Sequence, residues 1–267
     1  MERIIVSAIQ TVSTTDVNEN IKRVENLIKQ AVLQNAQWIV LPEYWVLMGK
    51  NEEDKVKIAE TFRQPENTIQ TTIAQWAKEY QITIFAGSIP LRSPIDGKIY
   101  NSLLTFNAQG QCISRYDKKH LFGFYGIGEK YQESDTIVAG NTIPNLQHQQ
   151  WQIAQGICFD LRFPEFFVAQ GVFDVIILPA AFTYTTGRAH WETLIKARAI
   201  ENQCYVIAAA QGGIHQNGRR TFGHSMIIDP WGKIIALAKE GEACIVAEIS
   251  QNRIKQVRNH LPAVILR

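Results

Sequence analysis

Two short apolar runs with an amphipathic helix between them open the chain, and this alternation restricts the fold more than any other feature. Residues 4–10 predict a buried strand, and Asp16 with Glu19 three positions later forms the capping-box pattern that begins a helix. Residues 38–41 predict the next strand. The helix has one apolar face, made of Val17, Ile21, Val24, Leu27, Ile28, Ala31 and Val32. A strand, a helix and a second strand in this order predict an α/β fold.

Strands and helices continue to alternate along the chain. Further strands are predicted at residues 82–89, 101–106, 112–118, 151–157, 174–179 and 204–210. Helices are predicted at residues 69–80 and 189–203, the second with Leu194, Ala197, Ala199 and Ile200 facing inward. The strands at 101–106 and 112–118 form a hairpin, and residues 223–229, 234–238 and 243–249 an antiparallel meander. No repeat or composition change divides the chain, so residues 1–267 are predicted to form one domain.

Two segments lack a regular pattern. Residues 122–145 are rich in glycine and polar residues, which at this length indicates a functional loop that lines a pocket. The tail, residues 251–267, has too few apolar residues for a layer of its own, so we expect it to pack across a subunit.

The composition favours a small-molecule partner. The chain has 27 basic and 25 acidic residues, and no basic block stands apart, so we expect neither nucleic acid nor a membrane surface as partner. No signal-peptide pattern and no membrane-length apolar stretch is seen, which predicts a cytoplasmic protein. The cysteines are Cys112, Cys158, Cys204 and Cys244; their wide spacing predicts reduced thiols, with two disulfides as the alternative. The histidines lack metal-binding spacing, so we expect no metal.

Three reactive side chains follow predicted strands directly. Glu43 comes after the strand at 38–41, Lys118 ends the hairpin, and Cys158 follows the strand at 151–157. Pro164 fits the first turn of a following helix, so Cys158 lies at a strand-to-helix elbow. A cysteine nucleophile needs a base and a nearby positive charge, which a carboxylate and an ammonium supply. We therefore predict an enzyme that cleaves amides.

Each of these residues also has a plainer interpretation. A lone cysteine is most often a buried apolar residue, and a glutamate or lysine at a strand end is usually solvated. Side chains alternate along a strand, so only one of Lys118 and Lys119 faces a given site, and this parity does not decide which. His120 paired with Cys158, as in papain-like proteases, is a further alternative, although no local signature of those proteases is present.

Three motifs resemble the signature blocks of the nitrilase superfamily of carbon–nitrogen hydrolases: Leu41-Pro42-Glu43, Lys118-Lys119-His120-Leu121-Phe122, and Gly156-Ile157-Cys158-Phe159-Asp160-Leu161-Arg162-Phe163-Pro164-Glu165. The resemblance covers the whole chain and implies a four-layer αββα sandwich. It selects Lys118 over Lys119 as the catalytic lysine and adds a second glutamate, Glu133. It also implies that no cofactor is required.

The implied chemistry is amide hydrolysis through a thioester on Cys158. Glu43 would act as the base, while the Lys118 ammonium and the Phe159 backbone N–H would hold the oxyanion. Arg162 follows the nucleophile and is suited equally to a substrate carboxylate and to a structural role. Arg198 and Glu201 are predicted to form a structural ion pair, because they are three residues apart on a helix.

Within the superfamily, four segments resemble the deaminated-glutathione amidase branch: residues 190–192, 197–206, 223–226 and 229–232. The implied reaction releases 2-oxoglutarate and Cys-Gly from α-ketoglutaramyl-Cys-Gly. The alternatives are an ω-amidase that acts on 2-oxoglutaramate and a catalytically idle binding module. Gly123-Phe124-Tyr125 departs from relatives that carry an acidic residue there, and this loop bears on substrate choice. Family members commonly assemble, so a homodimer is expected.

Overall fold

The computed structural model describes residues 3–126 and 129–266. Its helices are α1 Val17–Leu33, α2 Asp54–Lys57, α3 Ile69–Glu79, α4 Pro164–Val168, α5 Tyr184–Asn202 and α6 Gln251–His260. Its strands are β1 Arg3–Gln10, β2 Trp38–Val40, β3 Thr83–Phe85, β4 Ile89–Arg92, β5 Ile99–Phe106, β6 Cys112–Asp117, β7 Gly123–Gly126, β8 Glu129–Gln132, β9 Leu146–His148, β10 Trp151–Gln155, β11 Val175–Ala180, β12 Tyr205–Ala210, β13 Gly212–Ile214, β14 Arg220–Phe222, β15 Met226–Ile228, β16 Ile234–Leu237 and β17 Ala243–Ser250. Short 3-10 turns occupy Glu133–Asp135, Cys158–Arg162 and Val264–Leu266.

Two sheets form the centre of the molecule. The seven-stranded sheet has the order β17-β1-β2-β3-β5-β4, with β6 also paired to β5, and the six-stranded sheet has the order β16-β15-β12-β11-β10-β9. In each sheet three adjacent strands are parallel: β1, β2 and β3 in the first, and β10, β11 and β12 in the second. Since the carboxyl ends of parallel strands meet at one edge, loops that follow them converge there.

Alternating side chains on the central strands explain the layers. On β1 and β2, Val6, Ala8 and Val40 pack between the two sheets, whereas Ile9 and Ile39 face outward into a second cluster with the helices α1 and α3. The helix α5 covers the outer face of the other sheet through Trp191, Ile195 and Ala199. The arrangement is the αββα sandwich that the sequence predicts. Among the described residues, no helix is both long enough and apolar enough to span a bilayer.

The first predicted elements are confirmed. The Asp16 side chain caps α1 by accepting a hydrogen bond from the Glu19 N–H at 2.9 Å, and Val24, Leu27, Ile28 and Ala31 are buried on its apolar face. The predicted hairpin is formed by β5 and β6.

Several details of the prediction are wrong. The predicted strand at 82–89 is split into β3 and β4, because Gly87 has φ +60° and turns the chain there. The predicted meander is interrupted: β17 leaves β16 and pairs antiparallel with β1 along all eight of its residues. Ile200 faces solvent, 52% exposed, because it lies on the outer side of α5. The predicted loop 122–145 contains the hairpin of β7 and β8; residues 127 and 128 of it lie outside the described residues.

The tail packs on its own chain. The helix α6 buries Ile254 and Val257, and the Val264 N–H donates to Gln203 Oε1 at 3.1 Å. Contact of this tail with another subunit stays a prediction, as do the single domain over residues 1–267 and the homodimer. Residues 1, 2 and 267 lie outside the described residues.

Candidate active site

The lysine at the end of β6 lies between two glutamates from distant parts of the chain. Lys118 Nζ is 2.9 Å from Glu43 Oε1 and 2.8 Å from Glu133 Oε2. The three side chains are buried, and Lys118 is fully so. Lys119 remains partly exposed, and it is Lys118 whose ammonium is paired with the glutamates. Of these two adjacent lysines, Lys118 is therefore the one that joins the two carboxylates.

Glu133 is bonded through both of its oxygens. Besides Lys118, it accepts hydrogen bonds from the Tyr44 hydroxyl at 2.7 Å on Oε1 and from the Phe122 N–H at 2.7 Å on Oε2. The Phe122 carbonyl in turn accepts from the Glu133 N–H at 3.0 Å, so the β7–β8 hairpin closes at its base beside the site. These bonds hold Glu133 as a fixed anion against Lys118.

Glu43 is held differently. Asn101 Nδ2 donates to Glu43 Oε1 at 2.9 Å, and Gln211 Nε2 donates to its backbone carbonyl at 3.0 Å. Within the described part of the chain, Glu43 accepts side-chain hydrogen bonds on Oε1 alone. Gly87 permits the close passage of this loop, since a Cβ there would lie 2.0 Å from the Pro42 carbonyl oxygen. The second oxygen of Glu43 is thus left for another proton.

Cys158 lies at a strained elbow. It follows β10, opens the 3-10 turn Cys158–Arg162 and has φ +49°, in the left-handed region that a residue with a Cβ rarely adopts. Asp160 clamps the turn by accepting from the Ile157 N–H at 2.8 Å and from the Tyr116 hydroxyl at 2.6 Å. Pro164 opens α4 as predicted. The elbow is therefore tied to β6, the strand that ends at Lys118.

His120 takes no part in a cysteine–histidine pair. Its Nδ1 lies 2.7 Å from Asp160 Oδ1, and its ring stacks on Phe163 with centroids 3.8 Å apart. The imidazole is thereby fixed to the clamp of the elbow. This contradicts the papain-like alternative. The four cysteines, all within the described residues, form no disulfide, so the two-disulfide alternative is also wrong.

The buried charges shift the pKa values of the site. Burial raises the pKa of the Cys158 thiol well above its ordinary value; Glu43 adds to this, while Lys118 acts in the opposite direction. Burial alone would lower the pKa of Lys118, but Glu133 and Glu43 outweigh it and raise that pKa. Burial would raise the pKa of Glu133, yet Lys118 and Lys55 lower it. The resting site therefore holds a neutral thiol, an ammonium and an ionised Glu133.

Two small spaces at the site are both bordered by Phe122. One is a cavity of about 10 Å³ that is also lined by Cys158, Phe159, Arg162 and Thr183. The other, also of about 10 Å³, is lined by Glu133, Tyr44 and Arg219. Among the described residues, no group of three or more His, Cys, Asp or Glu side chains is arranged to hold a metal ion.

Sequence reasoning missed three supporting residues. Tyr44 and Asn101 hold the two glutamates, and Asp160 clamps the elbow. Tyr44 has φ +55°, a further strained residue beside Glu43. Asn101 begins one predicted apolar strand, and Asp160 follows another within a few residues. Polar residues at such places could have indicated these two, because buried polar groups need hydrogen-bond partners. The Arg198–Glu201 ion pair is confirmed at 2.8 Å.

This fold, with a lysine between two glutamates beside an elbow cysteine, defines a class of hydrolases. The family model described as carbon–nitrogen hydrolase matches residues 5–259. The chain belongs to this family, the nitrilase superfamily, and is an amidase that hydrolyses carbon–nitrogen bonds other than peptide bonds.

Several known proteins of this superfamily are similar to the chain over nearly its whole length. The chain is 41% identical to the deaminated glutathione amidase of Synechocystis sp., covering 99% of this chain and 98% of that protein. It is 34% identical to the deaminated glutathione amidase of Mus musculus, covering 97% of this chain and 81% of that protein. The crystal structure of Saccharomyces cerevisiae Nit3, a member of branch 10 of the nitrilase superfamily, matches with a TM-score of 0.89 at 30% identity, covering 98% of this chain and 95% of that chain.

Proposed function

We propose that the chain hydrolyses deaminated glutathione, α-ketoglutaramyl-Cys-Gly, to 2-oxoglutarate and Cys-Gly. The observation that carries the chemistry is the pairing of Lys118 with both Glu43 and Glu133 beside Cys158. The substrate is supported by relatives named deaminated glutathione amidase at 34–41% identity over nearly the full chain.

The two glutamates have different roles in this proposal. Glu133 bonds through both oxygens, so its role is to position Lys118. Glu43 has one oxygen without a hydrogen-bond partner among the described residues, which suits it to take a proton. Because burial keeps the Cys158 thiol neutral at rest, this proton must move as attack begins.

The proposed reaction has two stages. Glu43 takes the Cys158 proton, the sulfur attacks the amide carbonyl carbon, and the oxyanion is held by the Lys118 ammonium and the Phe159 backbone N–H. The C–N bond then breaks, Glu43 returns the proton to the leaving amine, and the acyl group remains on sulfur as a thioester. In the second stage Glu43 takes a proton from a water molecule, and the resulting hydroxide attacks the thioester carbonyl carbon. The C–S bond then breaks, and Glu43 returns the proton to the sulfur, which restores the Cys158 thiol and releases the acid.

The location and assembly are also proposals. The four cysteines, which form no disulfide in the described part of the chain, support a reducing compartment such as the cytoplasm. Ile200 and Trp231 are about half exposed, and Gly232, next to Trp231, packs against the Ile200 side chain. Such an apolar patch supports a homodimer. Sedimentation equilibrium measures this directly, and a monomer at all concentrations would contradict it.

The test of the function uses one assay for two substrates. Deaminated glutathione and 2-oxoglutaramate both release 2-oxoglutarate, which a coupled dehydrogenase detects. The expected result is a higher kcat/KM for deaminated glutathione. This activity should be abolished in Cys158→Ala and retained in Cys204→Ala, since Cys204 is a buried cysteine directly before β12. An equal or higher kcat/KM for 2-oxoglutaramate would support the ω-amidase instead. No hydrolysis of either amide, with Cys158 inert to iodoacetamide, would indicate an idle binding module.

A further inference from the structure

Arg219 is a cation whose position the proposed chemistry does not explain. Its Nε is buried without a hydrogen-bond partner, and its Nη1 reaches only the Met48 sulfur at 3.9 Å. Its guanidinium lies over the Tyr131 ring, 4.8 Å from the centroid. Within residues 3–126 and 129–266, no carboxylate forms an ion pair with it. A buried donor without a partner is costly, so this position suits a group that binds an anion.

The backbone around Arg219 is fixed in place. The Arg219 N–H donates to Asn217 Oδ1 at 2.9 Å, and the Arg219 carbonyl accepts from the His215 N–H at 2.8 Å. Asn217 Nδ2 in turn donates to the Gly49 carbonyl at 2.6 Å, which ties this turn to the segment that follows Glu43. The backbone that carries the guanidinium is therefore preorganised, which reduces the entropy lost when a ligand binds.

Arg219 lines a groove that leads to the reactive residues. The outer groove, of about 270 Å³, is lined by Tyr44, Lys50, Lys55, Tyr131 and Arg219. Its inner end, which shares Tyr44, Lys55, Tyr131 and Arg219, reaches Glu133 and Phe122. Phe122 also borders the cavity that contains Cys158. Phe122, beside the reactive residues, thus borders both the cavity and the inner end of the groove.

Three cations line the groove, and they differ in their surroundings. Lys55 is paired with Glu52, which also lines the groove, and Lys50 is exposed to solvent. Arg219 is the one of these three whose charged group has a buried donor without a partner. The neighbouring Arg220 is different: it is paired with Glu240, lies over the Tyr184 ring and borders neither space. The two adjacent arginines therefore provide a site residue and a matched control.

We propose that Arg219 determines substrate specificity by binding a carboxylate in the amine portion of the substrate. This proposal rests on the proposed function, in which that portion is Cys-Gly with a terminal carboxylate. The outer groove is larger than the cavity at Cys158, and its lining side chains are more polar. These properties suit the amine portion, which contains a second amide, a thiol and a carboxylate. A guanidinium can bind a carboxylate through two parallel hydrogen bonds, and this geometry gives selectivity as well as affinity.

The test compares three amides that differ only beyond the scissile bond. They are α-ketoglutaramyl-Cys-Gly, the same compound ending in glycinamide, and 2-oxoglutaramate, and each releases 2-oxoglutarate. In Arg219→Gln, kcat/KM for the first should fall by about 10- to 100-fold, mainly through KM, because an ionic hydrogen bond is lost. The glycinamide and 2-oxoglutaramate should change by less than about threefold. Arg219→Lys should fall between, and Arg220→Gln should match the wild type.

The ratio of the first two substrates within one preparation cancels any loss of folded protein. An equal loss of kcat/KM for the acid and the glycinamide in Arg219→Gln would refute the role of Arg219 and leave the proposed function intact. A wild-type enzyme that hydrolyses the glycinamide as well as the acid would refute it too. A wild-type protein inactive on all three amides would instead refute the proposed function, and this proposal with it.

Discussion

Replacing Lys118 with methionine removes the cation that lies between two buried glutamates. At an effective dielectric constant near 20, charges 2.9 Å apart attract by about 6 kcal/mol, and Lys118 makes such a contact with both Glu43 and Glu133. Desolvation offsets much of this attraction. Removing one partner of a buried pair nevertheless costs about 3–5 kcal/mol, because the other charge is left uncompensated. We expect Lys118→Met to lose about that much free energy of unfolding at pH 8.

The free energy of unfolding should depend on pH in opposite directions in the wild type and in Lys118→Met. In the wild type the pKa of Glu133 is lowered, so its contribution to stability is present above its unfolded pKa, near 4.3, and is lost as the pH falls below it. In Lys118→Met, burial and the neighbouring carboxylate raise the pKa of Glu133 instead. Stability then increases as the pH falls, by up to about 1.4 kcal/mol per pH unit for one proton. The loss caused by the substitution should therefore be smaller at pH 5.5 than at pH 8.

Urea denaturation at pH 5.5 and pH 8 measures both quantities. Lys119→Met is the matched control, since Lys119 is adjacent and only partly buried; it should change the free energy of unfolding by less than about 0.5 kcal/mol at either pH. A Lys118→Met loss that is the same at both pH values would refute the electrostatic reasoning. A loss no larger than that of Lys119→Met would refute it as well.

Two further predictions concern protons. Glu43→Gln should lower kcat/KM by about 10²- to 10⁴-fold, because it removes the base. The same substitution should move the pH midpoint of Cys158 alkylation by iodoacetamide down by about 1–3 units, because it removes a negative charge that raises the pKa of the thiol. Burial lowers the pKa of His215 to about 4, so this group stabilises the fold fully above pH 6.5 and loses its contribution, about 3 kcal/mol, as the pH falls from 6.5 to 4. His215→Gln should therefore lose less stability than the wild type over that interval in urea denaturation.

Control variants and pH curves can contradict the predictions for Glu43 and His215. Glu53→Gln, the same substitution at an exposed site, should alter neither activity nor alkylation, and an unchanged alkylation midpoint in Glu43→Gln would mean that Glu43 does not act on the thiol. For His215, parallel stability curves for the wild type and His215→Gln between pH 6.5 and 4 would show that the imidazole does not titrate in that interval.

Local sequence patterns determined the strands, the helices and the places where reactive residues follow strands. The alternation of apolar residues predicts β1, α1 and β2 because each period reflects the geometry of a few neighbouring residues. The Cys158 elbow could be predicted from the apolar strand before it and from Pro164 after it, which are again local signals. The pairing of β17 with β1 could not be predicted in this way, since it joins segments at opposite ends of the chain.

The tertiary structure decided how those residues meet. Glu43 and Lys118 are 75 positions apart, and their contact depends on strand register and on packing that no local pattern contains. The same holds for the hydrogen bonds that Asn101 and Tyr44 make to the two glutamates, and for the groove at Arg219. The sequence thus determined which chemical groups are available at the ends of the strands. Only the folded chain determined their partners, because ion pairs and cavities are properties of surfaces brought together over long distances in sequence.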